Sequence, residues 1–336
     1  MRVIGAQFRI SQEDFSGSNF WRHVENFYRK TEPGDVIVFP EDLGLITAFH
    51  DIACHSLPEA MSGITERKSG EIAELSKRFP DVDPTAMIFL ALTDSFVDSF
   101  YNLSSSLSRK YSVYTVTCNN MADFGKNGDR VEIRDPRIYN TAFVFGTKGE
   151  LAFAQRKVFL TDMERALSFS GGNLDQVKPF VIDGVRFGIA ISLDAFEPEY
   201  VARLSGCDVI LQPDANPGKW NSYLENGRWQ PEEWMESAHY ISQRLNSAPF
   251  TVNPMMVGPL FEMNFEGQSS ITKRAEVQDE RMGYVGNLPQ TGFSCITRVN
   301  GYDPHEFVRR EEIEARTLDY PEEVIVLEKL KTERRA

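Results

Sequence analysis

The sequence has few cysteines, few histidines and no long apolar run, and each shortage excludes a class of protein. Its four cysteines are too few and too widely spaced for a disulfide framework or a metal knuckle. The five histidines never occur as H-E-x-x-H or in another paired ligand spacing, so no metal site is predicted. No apolar stretch approaches the roughly 20 residues that span a bilayer.

Two further absences concern nucleotides and polyanions. Neither a G-x-x-x-x-G-K-[ST] loop nor a G-x-G-x-x-G turn after a strand is present, so we expect no nucleotide cofactor. With 36 basic and 49 acidic residues the net charge is −13, which argues against nucleic acid or an anionic membrane as the partner. Residues 1–10 resemble a strand and lack the basic start of a signal peptide. The sequence therefore predicts a cytoplasmic protein that acts on a small molecule.

Apolar runs alternate with amphipathic stretches along most of the 336 residues, which is typical of an α/β protein. The strands predicted at 141–145 and 151–154 flank the glycines of 146–149, so a hairpin and hence a mixed sheet are expected. The apolar run 86–92 is predicted to be another strand. A helix is predicted over 234–247.

One change in composition divides the chain. The whole chain has 41% hydrophobic residues, which is ordinary for a globular protein. We interpret residues 1–300 as a single folded domain. Residues 301–336 are dense in Arg, Lys and Glu. We interpret them as a charged C-terminal extension, either a solvated helix and tail or an arm that packs on a partner subunit.

Reactive side chains follow three of the predicted strands. Glu41 comes directly after the strand VIVF and a proline, where apolar surroundings would raise the pKa of a carboxyl toward that of a general base. Lys157 follows the strand 151–154 and precedes Glu164 by seven positions, and an ammonium among carboxylates can stabilise an oxyanion. Ser192 ends the strand 185–191, at an exposed turn that leads into a helix near Pro198, as nucleophiles often do.

Taken in order, these three segments resemble the nitrilase superfamily of carbon–nitrogen hydrolases. VIVFPED is similar to the family's glutamate segment, RKVFLTDME to its lysine segment, and GIAISLDAFEPE to its nucleophile segment. The resemblance covers roughly residues 1–300 and implies a four-layer α-β-β-α sandwich with two mixed sheets. It also implies a homodimer or a higher homo-oligomer, and neither cofactor nor metal.

The resemblance assigns roles to particular residues. Glu41 would be the general base, Lys157 the oxyanion stabiliser and Glu164 an accessory carboxylate that orients the reacting groups. The nucleophile would attack an amide carbon to form an acyl-enzyme that water hydrolyses. The backbone N–H of Leu193 would share the oxyanion with Lys157.

Ser192 departs from the family pattern, which has cysteine at this position. A hydroxyl loses its proton far less readily than a thiol, so we expect this chain to bind substrate and to turn over slowly or not at all. Two origins of the serine are open: a substitution that traps a substrate complex, or the natural state of a silent, binding-only relative. The retained Glu41, Lys157 and Glu164 favour the first.

Residues near the nucleophile indicate the kind of bond. Asp194 resembles the amide-hydrolysing branches, so an amide is preferred to a nitrile. N-Carbamoyl hydrolases often place arginine just after the nucleophile, whereas this chain has Ala195 and Phe196, which favours a neutral or aromatic acyl group. The loop 216–234 holds three of the four tryptophans, among them Trp220, and is interpreted either as a pocket wall or as a surface loop.

Overall fold

The computed structural model describes residues 1–52, 54–127, 130–220, 222–224, 227, 230, 234, 237, 250–267, 269–273, 287–288, 293–294 and 322–327. The helix predicted over 234–247 and most of the predicted extension 301–336 lie outside these residues. The division of the chain at residue 300 therefore stays a prediction.

Seven α-helices lie in the described part: α1 (Gly17–Tyr28), α2 (Leu57–Arg67), α3 (Ser69–Arg78), α4 (Pro84–Phe96), α5 (Asn102–Tyr111), α6 (Asp162–Ala166) and α7 (Pro198–Arg203). A π-turn, Val97–Tyr101, joins α4 to α5, and short 3-10 helices span Gln12–Phe15, Leu43–Phe49, Leu174–Gln176 and Ser192–Phe196. None of the described helices is long and apolar enough to cross a bilayer.

The described strands are β1 (Val3–Arg9), β2 (Val36–Val38), β3 (Tyr114–Asn127), β4 (Arg130–Phe145), β5 (Leu151–Arg156), β6 (Phe180–Ile182), β7 (Val185–Ile189), β8 (Val209–Leu211), β9 (Asp214–Ala215), β10 (Phe250–Asn253), β11 (Met255–Leu260), β12 (Met263–Phe265), β13 (Ser270–Lys273), β14 (Asn287–Leu288), β15 (Phe293–Ser294) and β16 (Glu323–Leu327). The larger sheet has the order β12-β11-β1-β2-β3-β4-β5, with β16 also paired to β1 and β9 to β11. The smaller sheet has the order β13-β10-β8-β7-β6, and β14 pairs with β15 separately.

Both larger sheets are mixed. In the first, β1 is parallel to β2 and β2 to β3, whereas β4 runs antiparallel to both of its neighbours, β3 and β5. In the second, β7, β8 and β10 are parallel and the edge strands β6 and β13 are antiparallel to them. The antiparallel pairing of β4 with β5 confirms the hairpin predicted around Gly146–Gly149.

Three apolar clusters show how the layers stack. One cluster lies between the sheets and includes Val38 and Val116 from the first and Ile189 and Val252 from the second. The other two lie on the outer faces, where α1, α4 and α5 cover the first sheet and α7 covers the second. The order helix, sheet, sheet, helix confirms the predicted four-layer sandwich.

The strand predicted over 86–92 is wrong, because this run lies inside α4. The helix is buried along most of its length, so its sequence lacks the polar face that distinguishes an amphipathic helix from a buried strand. The local signals for a helix start were present. Asp83 Oδ1 accepts a hydrogen bond of 2.8 Å from Thr85 N, and Pro84 occupies the first helical turn.

The chain crosses between the sheets at two prolines. After β8 in the second sheet, Pro213 leads into β9, which pairs with β11 in the first. After β10, Pro254 leads into β11 in the same way. The two crossings are joined by a hydrogen bond of 3.1 Å from Asp214 N to Pro254 O. Residues just after Pro213 therefore lie where the two sheets meet.

Strand β16 ties part of the predicted C-terminal extension to the sheet. It pairs antiparallel with β1 from Val3↔Leu327 to Gln7↔Glu323, and Ile325 and Leu327 are buried between the sheets. Just before this strand, Glu322 contacts His23 Nε2, and His23 Nδ1 lies 2.7 Å from Asp14 Oδ1. Burial alone would lower the pKa of His23, but the contacts with Asp14 and Glu322 outweigh it and raise the pKa to about 9.

We expect this histidine to make stability depend on pH. Its pKa is about 6.5 in an unfolded chain and about 9 in the folded one, so its stabilisation is complete below pH 6.5 and is lost as the pH rises through 9. The free energy of unfolding, measured with urea from pH 6 to 10, should fall across this window less steeply in His23→Gln than in the unmodified chain. The exposed His55→Gln is the control, and equal pH slopes in His23→Gln and the unmodified chain would contradict the prediction.

Candidate active site

Glu41 lies at the end of β2, in a turn that other residues hold in place. Asp42 adopts a left-handed backbone with φ 61°, and its Oδ1 accepts a hydrogen bond of 2.7 Å from Asn120 Nδ2. Gly44 approaches β3 so closely that a Cβ atom there would lie 2.3 Å from Asn119 Cγ. Glu41 is 3% exposed, and burial raises the pKa of its carboxyl well above the ordinary value. A carboxyl in this state suits a general base near neutral pH.

Lys157 joins two carboxylates from distant parts of the chain. Its Nζ lies 2.8 Å from Glu41 Oε1 and 2.8 Å from Glu164 Oε2, and the residue is 1% exposed. Burial alone would lower the pKa of Lys157, but the two carboxylates outweigh it and raise the pKa above the ordinary range. The lysine is therefore held as a cation inside the protein.

Glu164 is oriented by the first turn of α6. Thr161 and Glu164 form a capping box, in which Glu164 Oε2 accepts hydrogen bonds from Thr161 N at 2.8 Å and from Thr161 Oγ1 at 3.0 Å. Burial opposes ionisation of Glu164, but Lys157 and these hydrogen bonds lower its pKa. Glu164 is thus held as an anion, whereas burial raises the pKa of the Glu41 carboxyl.

Asn140 is a member of the cluster that the sequence did not single out. Its Nδ2 donates to Glu41 Oε1 at 2.7 Å and to Glu164 Oε1 at 3.1 Å, and so links the two carboxylates. The signal was the alternation along β4, because Ala142 and Val144 lie between the sheets and Asn140 shares their face. A polar residue on an otherwise apolar inner face requires a partner.

Replacement of Asn140 by leucine, which has a similar shape, should lower the free energy of unfolding by about 1–3 kcal/mol. Two buried carboxylates would each lose a donor, and the loss of a hydrogen-bond partner costs most where water cannot replace it. Urea denaturation measures the change. Asn102→Leu is the control, since its amide donates to Asp98 at an exposed site. An effect no larger than that of the control would mean that Asn140 is not needed to hold the carboxylates together.

Ser192 opens the 3-10 helix that follows β7, and its backbone is in the left-handed region with φ 48°. A non-glycine residue adopts this conformation at an energetic cost, and such strain is concentrated at functional sites. The prediction that Ser192 is exposed is wrong, since it is 3% exposed. The stacking of the two sheets covers the turn, which the pattern of a single strand end could not indicate.

Asp194 ties the Ser192 turn to the segment that carries Lys157. Its Oδ1 accepts hydrogen bonds from Val158 N at 3.0 Å and Phe159 N at 2.8 Å, directly after Lys157. Asp194 is fully buried, and burial raises its pKa to about 7 against the opposing effects of these hydrogen bonds and Lys157. The third predicted segment is therefore joined to the second, and Leu193 lies between the two anchored positions.

Two of the predicted substrate-binding residues lie in one aromatic cluster. The ring centroid of Phe196 is 4.7 Å from that of Trp234, and the ring centroid of Trp220 is 6.3 Å from that of Trp234. Trp220 is 1% exposed, and its backbone N–H donates to Glu266 Oε2 at 2.9 Å. The described part of the loop 216–234 is thus anchored by a buried tryptophan, although several residues of the loop lie outside the described part.

Other candidates in the described part include two buried cysteines, one cleft and any cluster of metal ligands. Cys118 and Cys207 are fully buried, and burial raises the pKa of both thiols, that of Cys207 to about 12. A cleft of about 580 Å³ has Tyr101, Tyr139 and Arg156 in its lining but none of the four predicted catalytic residues. In the described ranges, no group of three His, Cys, Asp or Glu side chains is arranged to hold a metal ion.

Comparisons with known proteins identify the fold. No family model matches the sequence. The carbon–nitrogen hydrolase of Helicobacter pylori G27 superposes with a TM-score of 0.54 at 16% identity, over 81% of this chain and 82% of that one. A cysteine-to-serine mutant of the Nesterenkonia AN1 amidase, from the nitrilase superfamily, superposes with a TM-score of 0.53 at 14% identity, over 98% and 92%.

A third solved structure is a mutant of the same amidase in complex with butyramide, with a TM-score of 0.53 at 14% identity over 97% of this chain and 90% of that one. Among curated proteins, a hydrolase of Schizosaccharomyces pombe is 32% identical over 96 residues. That match spans 26% of this chain and 30% of the yeast protein. The resemblance to the nitrilase superfamily is therefore confirmed for the fold.

Proposed function

We propose that this chain carries a site for hydrolysis of an amide carbon–nitrogen bond. The observation that carries the proposal is the position of the Lys157 ammonium, 2.8 Å from both the Glu41 and the Glu164 carboxylates, on a segment bonded to the Ser192 turn through Asp194. A base, a cation and a nucleophile position close together are the parts that acyl transfer needs. The solved relatives named above include amidases, which supports the same reaction.

Each group has a defined part in the reaction, and Glu41 acts twice. Glu41 takes the proton of the nucleophile, which attacks the carbonyl carbon, while Lys157 and the backbone N–H of Leu193 stabilise the oxyanion. Glu41 then gives the proton to the departing nitrogen, and ammonia or an amine leaves. Water hydrolyses the acyl-enzyme, with Glu164 orienting the reacting groups. The raised pKa of Glu41 suits it to both proton transfers.

Serine at the nucleophile position limits the rate of this reaction. Glu41 can remove the proton of a thiol, whose pKa is about 8.5, far more readily than that of a hydroxyl. We therefore propose that the chain binds amides and hydrolyses them slowly or not at all. A substituted enzyme and a naturally silent relative would both have this property, and the intact cluster of Glu41, Lys157 and Glu164 favours the first.

An amide with a neutral or aromatic acyl group is the preferred substrate. Phe196 and Trp220 lie in an aromatic cluster. This chain also lacks the arginine that N-carbamoyl hydrolases often place just after the nucleophile to hold a substrate carboxylate. Asp194 resembles the residue at this position in the amide-hydrolysing branches of the family, which favours an amide substrate over a nitrile. A homodimer or a higher homo-oligomer and a cytoplasmic location are parts of the same proposal.

A second function, recognition of an amide or of a partner protein without turnover, is favoured by Ser192 itself. Release of ammonia from a panel of aliphatic and aryl amides, nitriles and N-carbamoyl amino acids separates the two. The unmodified chain and Ser192→Cys are assayed side by side. Hydrolysis of amides in preference to the other classes supports the enzyme, whereas silence of both proteins across the panel supports the binding protein.

A further inference from the structure

The register of the second sheet places a carboxylate opposite Ser192. Strands β7 and β8 are parallel, with Ile189 opposite Leu211. The ladder continues beyond the strands, because Ala190 N donates to Leu211 O at 2.9 Å and Ser192 N donates to Pro213 O at 3.1 Å. Three steps on from Ile189 and Leu211, the same register pairs Ser192 with Asp214.

Asp214 is buried and has one oxygen free for a new contact. Its Oδ2 accepts hydrogen bonds from Asn253 Nδ2 at 2.6 Å and from Gln212 Nε2 at 3.1 Å. Among the described residues, Oδ1 has no hydrogen-bond partner, although Asp214 is 0% exposed. The Ser192 side chain lies near enough to this carboxyl to influence its pKa, and the charge of Lys157 influences that pKa too.

The pKa of Asp214 allows its carboxyl to accept and release a proton near neutral pH. Burial raises its pKa to about 7, against the lowering effects of Asn253, Gln212, Lys157 and the Ser192 hydroxyl. The Oε1 atom of Glu41 accepts hydrogen bonds from both Lys157 and Asn140. Of the two carboxylates, Asp214 is the one aligned with Ser192 by the backbone ladder.

We propose that Asp214 is a catalytic carboxylate that accepts the proton of the Ser192 hydroxyl, the part that Glu41 would play for a thiol. The Oγ–H bond of Ser192 breaks, the proton moves to Asp214, and Oγ forms a bond to the acyl carbon while the carbonyl electron pair moves onto oxygen. The carbon–nitrogen bond then breaks as the proton passes from Asp214 to the leaving nitrogen. This inference rests on the proposed amide hydrolysis.

The test is Asp214→Asn in two backgrounds, Ser192 and Ser192→Cys. In the Ser192 chain, kcat/KM for an amide should fall by about 100-fold or more, the effect of removing a general base. In the Ser192→Cys background the fall should be less than about 5-fold, because Glu41 suffices for a thiol. Equal losses in the two backgrounds would overturn the inference and assign Asp214 a structural role beside Asn253 and Gln212.

A second measurement does not need an amide substrate. A fluorophosphonate probe should label Ser192 of the unmodified chain, followed by intact mass, about 10-fold or more faster than it labels the Asp214→Asn chain. Asp214→Ser replaces it if Asp214→Asn does not fold, as judged by its thermal transition. Equal labelling rates would overturn the inference. If the unmodified chain were labelled about 10-fold or more faster than Asp214→Asn but neither background hydrolysed amides, the proposed function would be wrong. The inference that Asp214 activates Ser192 would still be supported.

Discussion

Ser192→Cys is expected to raise the rate of amide hydrolysis by about 100-fold or more. The change places a thiol, with an ordinary pKa of about 8.5, beside the same base and the same cation, and the thiolate is both easier to form and more nucleophilic. A gain of this size corresponds to roughly 2.7 kcal/mol of barrier. The steady-state rate of ammonia release from one amide, compared between Ser192→Cys and the unmodified chain, measures this gain.

The gain in rate should require the thiol at position 192, and a thiol at another buried position should not produce it. Ser104→Cys is the matched control, because Ser104 is also buried but lies in α5 on the outer face of the first sheet. It should leave the rate unchanged. Should the unmodified chain already hydrolyse amides as fast as Ser192→Cys, serine would be the working nucleophile and the proposed impairment would be wrong.

The double substitution of Ser192 and Asp214 separates a serine introduced in place of cysteine from a serine native to an active enzyme. A serine introduced in place of cysteine would have no partner adapted to it, and Asp214 would then matter equally in both backgrounds. A serine native to the chain would depend on Asp214 far more than a cysteine does. Buried Asp214, aligned with Ser192 by the strand register, favours the native origin, whereas the intact Glu41–Lys157–Glu164 cluster favours the other.

The residues that the sequence identified were those with a local signature. Glu41, Lys157 and Ser192 each follow a strand, and the turn after a strand can be predicted from a short window. Their order along the chain then supplied the family resemblance and, with it, the sandwich. Glu164 was found in the same way, from its spacing to Lys157 on one segment.

The residues that the sequence missed are those whose meaning depends on a distant partner. Asn140 matters because β4 and the turn after β2 bring it against Glu41, 99 positions away. Asp214 matters because the β7–β8 register continues past the ends of both strands. The helix α4 was misread for a related reason, since only the layers around it show that most of its residues are buried. Registers and layers are set by packing, which short windows do not contain.

Lys157→Met should have the largest effect on both stability and activity. The substitution keeps much of the side-chain volume but removes the cation between two buried carboxylates, and breaking a buried ion pair on one side costs about 3–5 kcal/mol. It also removes an oxyanion donor, which lowers kcat by about 100- to 1,000-fold. Urea denaturation and ammonia release in the Ser192→Cys background measure the two effects.

The stability loss should grow with pH. Without Lys157, the pKa of Glu41, already raised by burial, rises further. A carboxyl whose folded pKa exceeds its unfolded value loses stability as the pH rises from the unfolded pKa through the folded one. The difference in unfolding free energy between Lys157→Met and the unmodified chain should therefore be larger at pH 8 than at pH 5.

Lys110→Met is the matched control for this prediction. Lys110 also pairs with a glutamate, Glu25, but its side chain is 61% exposed, and such surface pairs contribute little. Its unfolding midpoint should be unchanged. If Lys157→Met were as stable as Lys110→Met at both pH values, Glu41 and Glu164 would not need the ammonium between them. The cluster would then be a polar core of the fold, and its assignment to amide hydrolysis would lose its main support.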